Sequence, residues 1–405
     1  MEGATAEAAG RAARWSRLAA SPAAPLALFA LGWLAARAVG FEIAVDWQRW
    51  QLLDRVALAA EPGRALWYLH AQPPALNAIA AAVLAAASIA GTAPETIVAV
   101  LFAGLAAAAI WLVHRLLLGL IGPFGAFAGA LAVAAAPGFW VFAFDLFYPL
   151  PLFALAAALL LAALSYLRGG ASRALAGVVA AAVGLAWTSA LYAPPVALGL
   201  VALVAALGPG ATGAAERRRR RRRAAVALAT TALLVAPWPA KNALVFGRPV
   251  SSSWLGYNLS NMSGVRSASL SSYLESGDPG PAAWRWWRAR APRGAADEPL
   301  LVAPEKSGGG RNWNHFVFLY SAPGLVQVSR SWMLEHPVRW LTRALSNYAR
   351  CTRPVDVHPY LGTPLGPSSA LLRGWRALWS PLFVDLRPPI ERLAPGLALH
   401  RLARS

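Results

Sequence analysis

The chain has 405 residues, 58% of them hydrophobic and only 14% charged, with a formal net charge of +19. A soluble domain carries roughly 25% charged residues, so this composition excludes an ordinary soluble globule. The basic residues are scattered between apolar stretches, as in the loops of membrane helices, rather than gathered on one face for nucleic acid; no nucleic-acid partner is expected.

Cys351 is the one cysteine, which excludes an internal disulfide framework and a four-cysteine zinc site. The six histidines show no HExxH or other paired-ligand spacing.

Arg11, Arg14 and Arg17 precede an apolar stretch at 23–41, broken only by Arg37 near its far end. Its length suits a spanning helix of about 20 residues, and it is expected to be a first span and signal anchor after a cytoplasmic N-terminus (1–22). Further apolar segments lie at 74–91, 96–118, 122–142, 147–167, 174–190, 193–209 and 224–240, rich in Ala, Leu and Val. Each is near bilayer length, and helices are the spanning structure that such segments form. The predicted fold is therefore an all-α polytopic membrane protein, with a transmembrane module at 23–240 and a C-terminal domain at 241–405. Composition marks that boundary: the last 165 residues hold 20 of the 37 basic residues and no further span-length apolar run.

Orientation follows from arginine. Seven in a row, Arg217 to Arg223, and the N-terminal group are expected to be cytoplasmic. That puts loop 42–73 and the domain after 240 outside a cell membrane. Six apolar segments separate the outer loop from the arginine run, an even number, so one must enter and leave on the same face. Segment 74–91, which begins at the Pro73-Pro74 break, is nominated. Seven spans result.

Loop 42–73 carries Glu42, Asp46, Asp54 and Glu61. Asp46 lies close to the expected interface, where a carboxylate can meet a polar substrate and act as general base. The same acids also read as a solvated loop face, and Trp47, Trp50, Trp67 and Tyr68 as an aromatic belt. Between 74 and 215 the only acids are Glu95 and Asp145, and Asp145 sits at the junction of two apolar segments. An ionisable group near the bilayer centre costs roughly 2.5–3.5 kcal/mol; function and a simple helix-end position are about equally good accounts. If external, Asp145 shares a face with Asp46.

At the exit from the last apolar segment, Lys241, Asn242 and Arg248 join His70 in supplying polar and basic groups at the outer interface, suited to a lipid phosphate or to unspecific headgroup contact. Beyond them lie Trp254, Asn258, and the GGGRNWNH string with Asn312, Asn314 and His315. Residues 283–290 (AWRWWRAR) read as an interfacial patch. Residues 325–350 read as an amphipathic helix interrupted at Pro337.

A first span followed by an acid-bearing loop that closes in Leu69, His70, Gln72, Pro73 and Pro74 resembles the GT-C superfamily of polytopic glycosyltransferases, whose members include the protein O-mannosyltransferases and the lipid A aminoarabinose transferase. QLLD (51–54), WYLHAQPPALN (67–77), DLFYPLPL (145–152), PWPAKNALVFG (237–247), SSWLGYNL (252–259) and NWNH (312–315) look like a bacterial branch of that superfamily, in consistent order over roughly 45–350. The resemblance implies transfer of a sugar from a polyprenyl-phosphate carrier to an extracytoplasmic hydroxyl or amine, on a glycan, lipid or protein acceptor. It carries the catalytic base onto Asp46, with Asp54 as understudy. Asp145 would orient the acceptor or hold a divalent metal ion, although no spacing demands a metal. Donor contacts fall on His70, Gln72, Lys241, Asn242 and Arg248, with Trp254, Asn258, Asn314 and His315 as further contacts. The family's basic residue before the Pro-Pro element is here His70, a weaker cation near neutral pH, which shifts the donor phosphate toward Lys241 and Arg248.

Two other classes fit the composition. A transporter or lipid flippase would show broken or charged helices at midplane and inverted repeats; no repeat is seen, and the acids lie at segment edges. A non-catalytic scaffold would bind the lipid carrier without turnover.

Overall fold

The computed structural model describes residues 15–16, 18–38, 45–210 and 213–351. Arg11, Arg14, Arg17 and Glu42, and everything after Cys351, fall outside that description. The chain divides into two compact units, Met1–Ser251 and Ser252–Ser405. The division falls later than the compositional boundary at 240 because the helix carrying Lys241 and Asn242 packs back into the first unit.

The regular elements among the first unit's described residues are all helices. Its elements are α1 (Ala23–Ala38), α2 (Arg55–Ala60), α3 (Pro62–Tyr68), α4 (Ala75–Ala90), α5 (Pro94–Ala135), α6 (Pro137–Phe144), α7 (Pro149–Gly169), α8 (Ser172–Thr188), α9 (Pro194–Leu207), α10 (Ala214–Val235) and α11 (Pro237–Phe246). Proline opens many of them, where its missing N–H costs nothing and its fixed φ suits the first turn. Three stretches are long and apolar enough to cross a membrane: α5, α7, and α10 continued by α11 (Ala214–Phe246). The apolar helices α1, α4, α8 and α9 are shorter, at 16, 16, 17 and 14 residues.

Helix α5 is two helices joined at Gly122, whose φ of 79° no side-chain-bearing residue adopts cheaply. Pro123 follows and cannot continue the preceding hydrogen-bond ladder. The halves fold back on each other: the Leu117 side chain packs on Gly129, although twelve residues of continuous helix would hold them about 18 Å apart. The expected break between segments 96–118 and 122–142 falls at this reversal. The second segment breaks again at Ala136, before α6.

Hydrogen bonds define two ends of the bundle. At one, His114 Nε2 meets the Ala19 carbonyl at 3.1 Å, Arg168 donates to the Gly119 carbonyl, Arg223 to Gly170 at 3.1 Å, and Arg220 to Ala205 at 3.1 Å. At the other, loop 45–54 is tied to Asn77, Glu95 and Asp145. Both ends of α4 are therefore anchored to the same loop, through Asn77 at its start and Glu95 just beyond its end. From Glu95 the first half of α5 runs to the arginine end, where Gly119 meets Arg168.

The core between α7, α8, α9 and α10 is made of small and branched residues, with Val178, Ala182, Leu185, Ala197 and Val201 fully buried. Glycine permits the closest approach: a Cβ on Gly184 would lie 2.8 Å from Leu155. Such contacts hold apolar helices together where the surroundings supply no hydrophobic drive.

The second unit comprises α12 (Leu255–Ser263), α13 (Ala268–Ser276), α14 (Pro281–Arg290), α15 (Pro299–Val302), α16 (Val317–Glu335) and α17 (Pro337–Cys351). An isolated bridge, Glu305 to Arg311, closes the one β-like turn among its described residues. Its core is aromatic. Trp287, Tyr273, Phe316 and Phe318 are at most 1% exposed, and Trp287 stacks on Phe316 at 5.0 Å. Within the AWRWWRAR string Ala283 and Trp287 are buried, Trp284 and Trp286 half-buried and the rest exposed; Trp287 donates to the Ala296 carbonyl and Trp284 to Asp278. Trp287 belongs to the aromatic core, while the half-buried Trp284 and Trp286 meet Phe316 and Tyr320 and the arginines of α14 are exposed. The helix break expected at Pro337 falls between α16 and α17.

Candidate functional site

Loop 45–54 is held by a small number of buried contacts. Gln51 has its carbonyl capped twice, by Gln72 Nε2 and by Asn77 Nδ2 at 3.0 Å, while Leu53 N donates to Asn77 Oδ1 at 2.7 Å. Asn77, fully buried, thus acts as a two-sided clip that imitates a backbone pair. Gln72 serves the same purpose and is a positioning residue for the loop.

The four predicted acid positions separate by environment. Asp46 is half-buried, and its carboxylate accepts from Gln48 N at 3.0 Å, a local turn that leaves further lone pairs to offer. Asp54 is the N-cap of α2, accepting from Val56 N at 2.8 Å and Ala57 N at 3.3 Å. That geometry accounts for an aspartate there by helix capping alone. Glu61 pairs with Arg64 on the surface. Asp145 is completely buried and bonded at 2.7 Å to Arg49, itself 1% exposed at the side chain. Arg49 also lies over the Phe147 ring at 4.6 Å and reaches the Leu146 carbonyl. Asp145 therefore meets a guanidinium, which neutralises its charge and suits it to fixing the loop.

Residues that take part here without an assignment from sequence reasoning include Arg49, Asn77 and Glu95. Glu95 accepts from the Trp47 indole at 3.0 Å, so both acids of the 74–215 stretch are joined to the same short loop. The available signal was the acid in an apolar setting, because a buried carboxylate requires an opposite charge, and Arg49 is a basic residue in the loop expected to share its face.

Donor-side candidates also converge. Lys241 is 9% exposed, and its ammonium donates to the Trp67 carbonyl at 3.1 Å and to the Leu69 carbonyl. It lies 3.8 Å from the Trp238 ring centroid and 5.5 Å from that of Phe246. Phe246 in turn meets the fully buried His70 ring edge-on at 5.1 Å. Asn242 donates to the Val250 carbonyl at 2.7 Å, and the half-exposed Arg248 is held by its own N–H on Asn242 O. Lys241, His70, Gln72, Asn242 and Arg248 therefore belong to one end of the first unit, the end that carries Asp46 and Asp145. Two amide oxygens there, Gln51 Oε1 and Asn242 Oδ1, are buried without a hydrogen-bond partner among the described residues.

The remaining candidates belong to the second unit, where their contacts are internal. Trp254 donates to the Trp313 carbonyl at 2.9 Å and packs with Trp313 and Phe318; Asn258 is exposed on α12. Asn312 bonds the carbonyls of Leu300 and Ala303, and its own Oδ1 accepts from Asn314 N. His315 is fully buried, stacked on Tyr273 at 4.3 Å. Its Nδ1 accepts from Val317 N at 3.2 Å, which leaves the proton on Nε2, facing the Val302 carbonyl at 3.2 Å. Burial depresses the His315 pKa from 6.5 to about 3, so the ring is neutral. Burial also raises the Tyr273 pKa, with nearby Arg311 opposing. These contacts account for Asn312, Asn314 and His315 as the fastening of loop 299–316. Among the described residues no group of three or more His, Cys, Asp or Glu side chains is arranged to hold a metal ion.

Compared with known proteins, the chain matches no family model, no curated protein and no solved structure.

Proposed function

We propose that the protein is a multi-pass membrane glycosyltransferase of GT-C type, which moves a sugar from a polyprenyl-phosphate carrier to an extracytoplasmic acceptor. The observation that supports it most is the gathering, at one end of the first unit, of a half-buried Asp46, the Arg49–Asp145 pair and the Lys241 ammonium against loop 67–69. Transfer from a phosphate leaving group needs a base on the acceptor side and positive charge on the leaving-group side. Asp46 supplies the first. Arg248, which stays protonated, supplies the second, with Lys241 Nζ as a hydrogen-bond donor. Asp145 acts through Arg49 to hold the loop in which Asp46 sits. The buried acceptors Gln51 Oε1 and Asn242 Oδ1 suit the hydroxyl donors of a sugar, since buried polar atoms are ordinarily satisfied.

In this reading α1, the two halves of α5 with α6, α7, α8, α9, and α10 with α11 cross the membrane, while α4 stays at the outer face. The arginine run is cytoplasmic and the second unit extracytoplasmic. The test is sugar transfer in proteoliposomes loaded with a polyprenyl-phosphate sugar. Asp46→Asn is expected to lower turnover by about 10²-fold or more, the range of a lost general base. Full turnover by that variant removes Asp46 from the chemistry, and carrier binding without turnover by the wild-type chain, whatever the donor, overturns the enzyme reading in favour of a scaffold.

A further inference from the structure

The arginine end of the first unit, opposite the site above, carries two adjoining cavities. The first, about 500 Å³, is lined by Tyr166, Arg168, Gly170, Arg219, Arg220 and Arg223 among others, with Glu216 the one acid in its wall. The second, about 600 Å³, lies between α8 and α10. It begins at Arg219, Arg222 and Arg223 and continues past Leu175, Val179 and Val226 to Leu234. Arg219 and Arg223 line both, so a basic mouth opens directly into an apolar groove.

The arginines are not equivalent. Arg168 and Arg220 are committed to backbone carbonyls, and Arg223 gives one nitrogen to Gly170. Arg219 and Arg222 are exposed, and among the described residues neither has a hydrogen-bond partner. From Arg219 to Leu234 along α10 is about 22 Å at 1.5 Å per residue. One leaflet's hydrocarbon is about 15 Å deep, half of a roughly 30 Å core. The groove is therefore long enough to seat an acyl chain with its head at the arginines. Basic pockets between membrane helices have this chemistry toward anionic headgroups.

We propose that this groove is a binding site for an anionic glycerophospholipid, its phosphate held by Arg219, Arg222 and Arg223 and one acyl chain lying between α8 and α10. The site is independent of the glycosyltransferase reading and lies at the other end of the bundle from Asp46 and Lys241.

The experiment is native mass spectrometry of the full-length protein in detergent, titrated with phosphatidylglycerol, with phosphatidylcholine of the same chains, and with inorganic phosphate. Phosphatidylglycerol is expected to bind at least tenfold more tightly than phosphatidylcholine, as more than one arginine at about fivefold each requires. Arg219→Gln/Arg222→Gln is expected to weaken it by roughly 25-fold, at the same ratio per charge. Because neither arginine is bonded within the fold, this variant is expected to keep the wild-type melting temperature. Val226→Trp, at a 58% exposed position, is expected to block the groove and lower affinity for both lipids. Equal binding of the two lipids overturns the proposal, as does an unchanged affinity in the arginine variant. Displacement of phosphatidylglycerol by equimolar inorganic phosphate also overturns it, because the tail would then contribute nothing.

Discussion

Arg49 and Asp145 meet at 2.7 Å with both side chains essentially out of contact with solvent, joining the loop after the first apolar helix to the junction of α6 and α7. A buried pair of this kind gives little net stability relative to apolar residues of similar size, but removing one partner leaves a charge stranded. Asp145→Leu or Arg49→Met alone is expected to cost about 3–5 kcal/mol, read as a lowered thermal unfolding midpoint in detergent. Arg49→Met combined with Asp145→Leu is expected to recover most of that loss. Simple additivity of the single effects in the double variant would show that the two residues do not act as a pair.

Asp46 and Asp54 lie eight residues apart in one loop and separate under mutation. Asp54→Ala removes the α2 cap and is expected to cost about 1 kcal/mol, whereas Asp54→Asn, an equally good cap, leaves stability unchanged. Neither is expected to lower sugar transfer when compared at equal folded protein. Asp46→Asn is expected to behave the opposite way, with an unchanged melt and lost transfer. A loss of transfer in Asp54→Asn would reinstate Asp54 as a chemical group.

Much of this arrangement was legible in the sequence because it depends on periodicity and punctuation. The gap between the apolar segments 96–118 and 122–142 is where α5 reverses at Gly122, Pro73-Pro74 immediately precedes α4, and Arg168, Arg220 and Arg223 bond at the end of the bundle opposite Asp46 and Asp145. What escaped is the pairing. Nothing local in the string WQRW marks Arg49 as the partner of an aspartate 96 residues away, and nothing in NWNH distinguishes amides that fasten a loop from amides that contact a ligand. Tertiary contact decides both. Helix length was legible where no turn intervenes: the apolar segment 174–190 and α8 both have 17 residues, whereas segment 193–209 becomes the 14-residue α9, which opens at Pro194 and ends where Leu207 meets a turn.

Lys241 tests the donor side. Its ammonium satisfies the carbonyls of Trp67 and Leu69, so Lys241→Met is expected to destabilise the first unit by about 1–3 kcal/mol for each carbonyl left buried and unpaired. It is also expected to raise the KM for the lipid-linked sugar. Lys241→Arg keeps the charge but brings a planar fork into a site built for a point donor. Retention of donor affinity in Lys241→Arg with loss in Lys241→Met would assign the effect to charge. Equal affinity in both variants and wild type would take Lys241 out of donor binding.

His315 gives the second unit a pH dependence of defined sign. The ring is neutral in the fold, with its pKa lowered to about 3 by burial, while the unfolded chain protonates near 6.5. Between those values the unfolded state binds more protons than the folded one, so stability rises with pH there, is complete above about 6.5 and falls as pH drops toward 3. Chemical denaturation of the full-length protein, followed through the tryptophans packed around Phe316, is expected to show this loss on going from pH 7 to pH 4.5. His315→Asn is expected to be less stable at pH 7, because one of the two backbone contacts of the ring is lost, and to show a flatter decline toward acid. The same slope in wild type and variant would place the titrating group elsewhere.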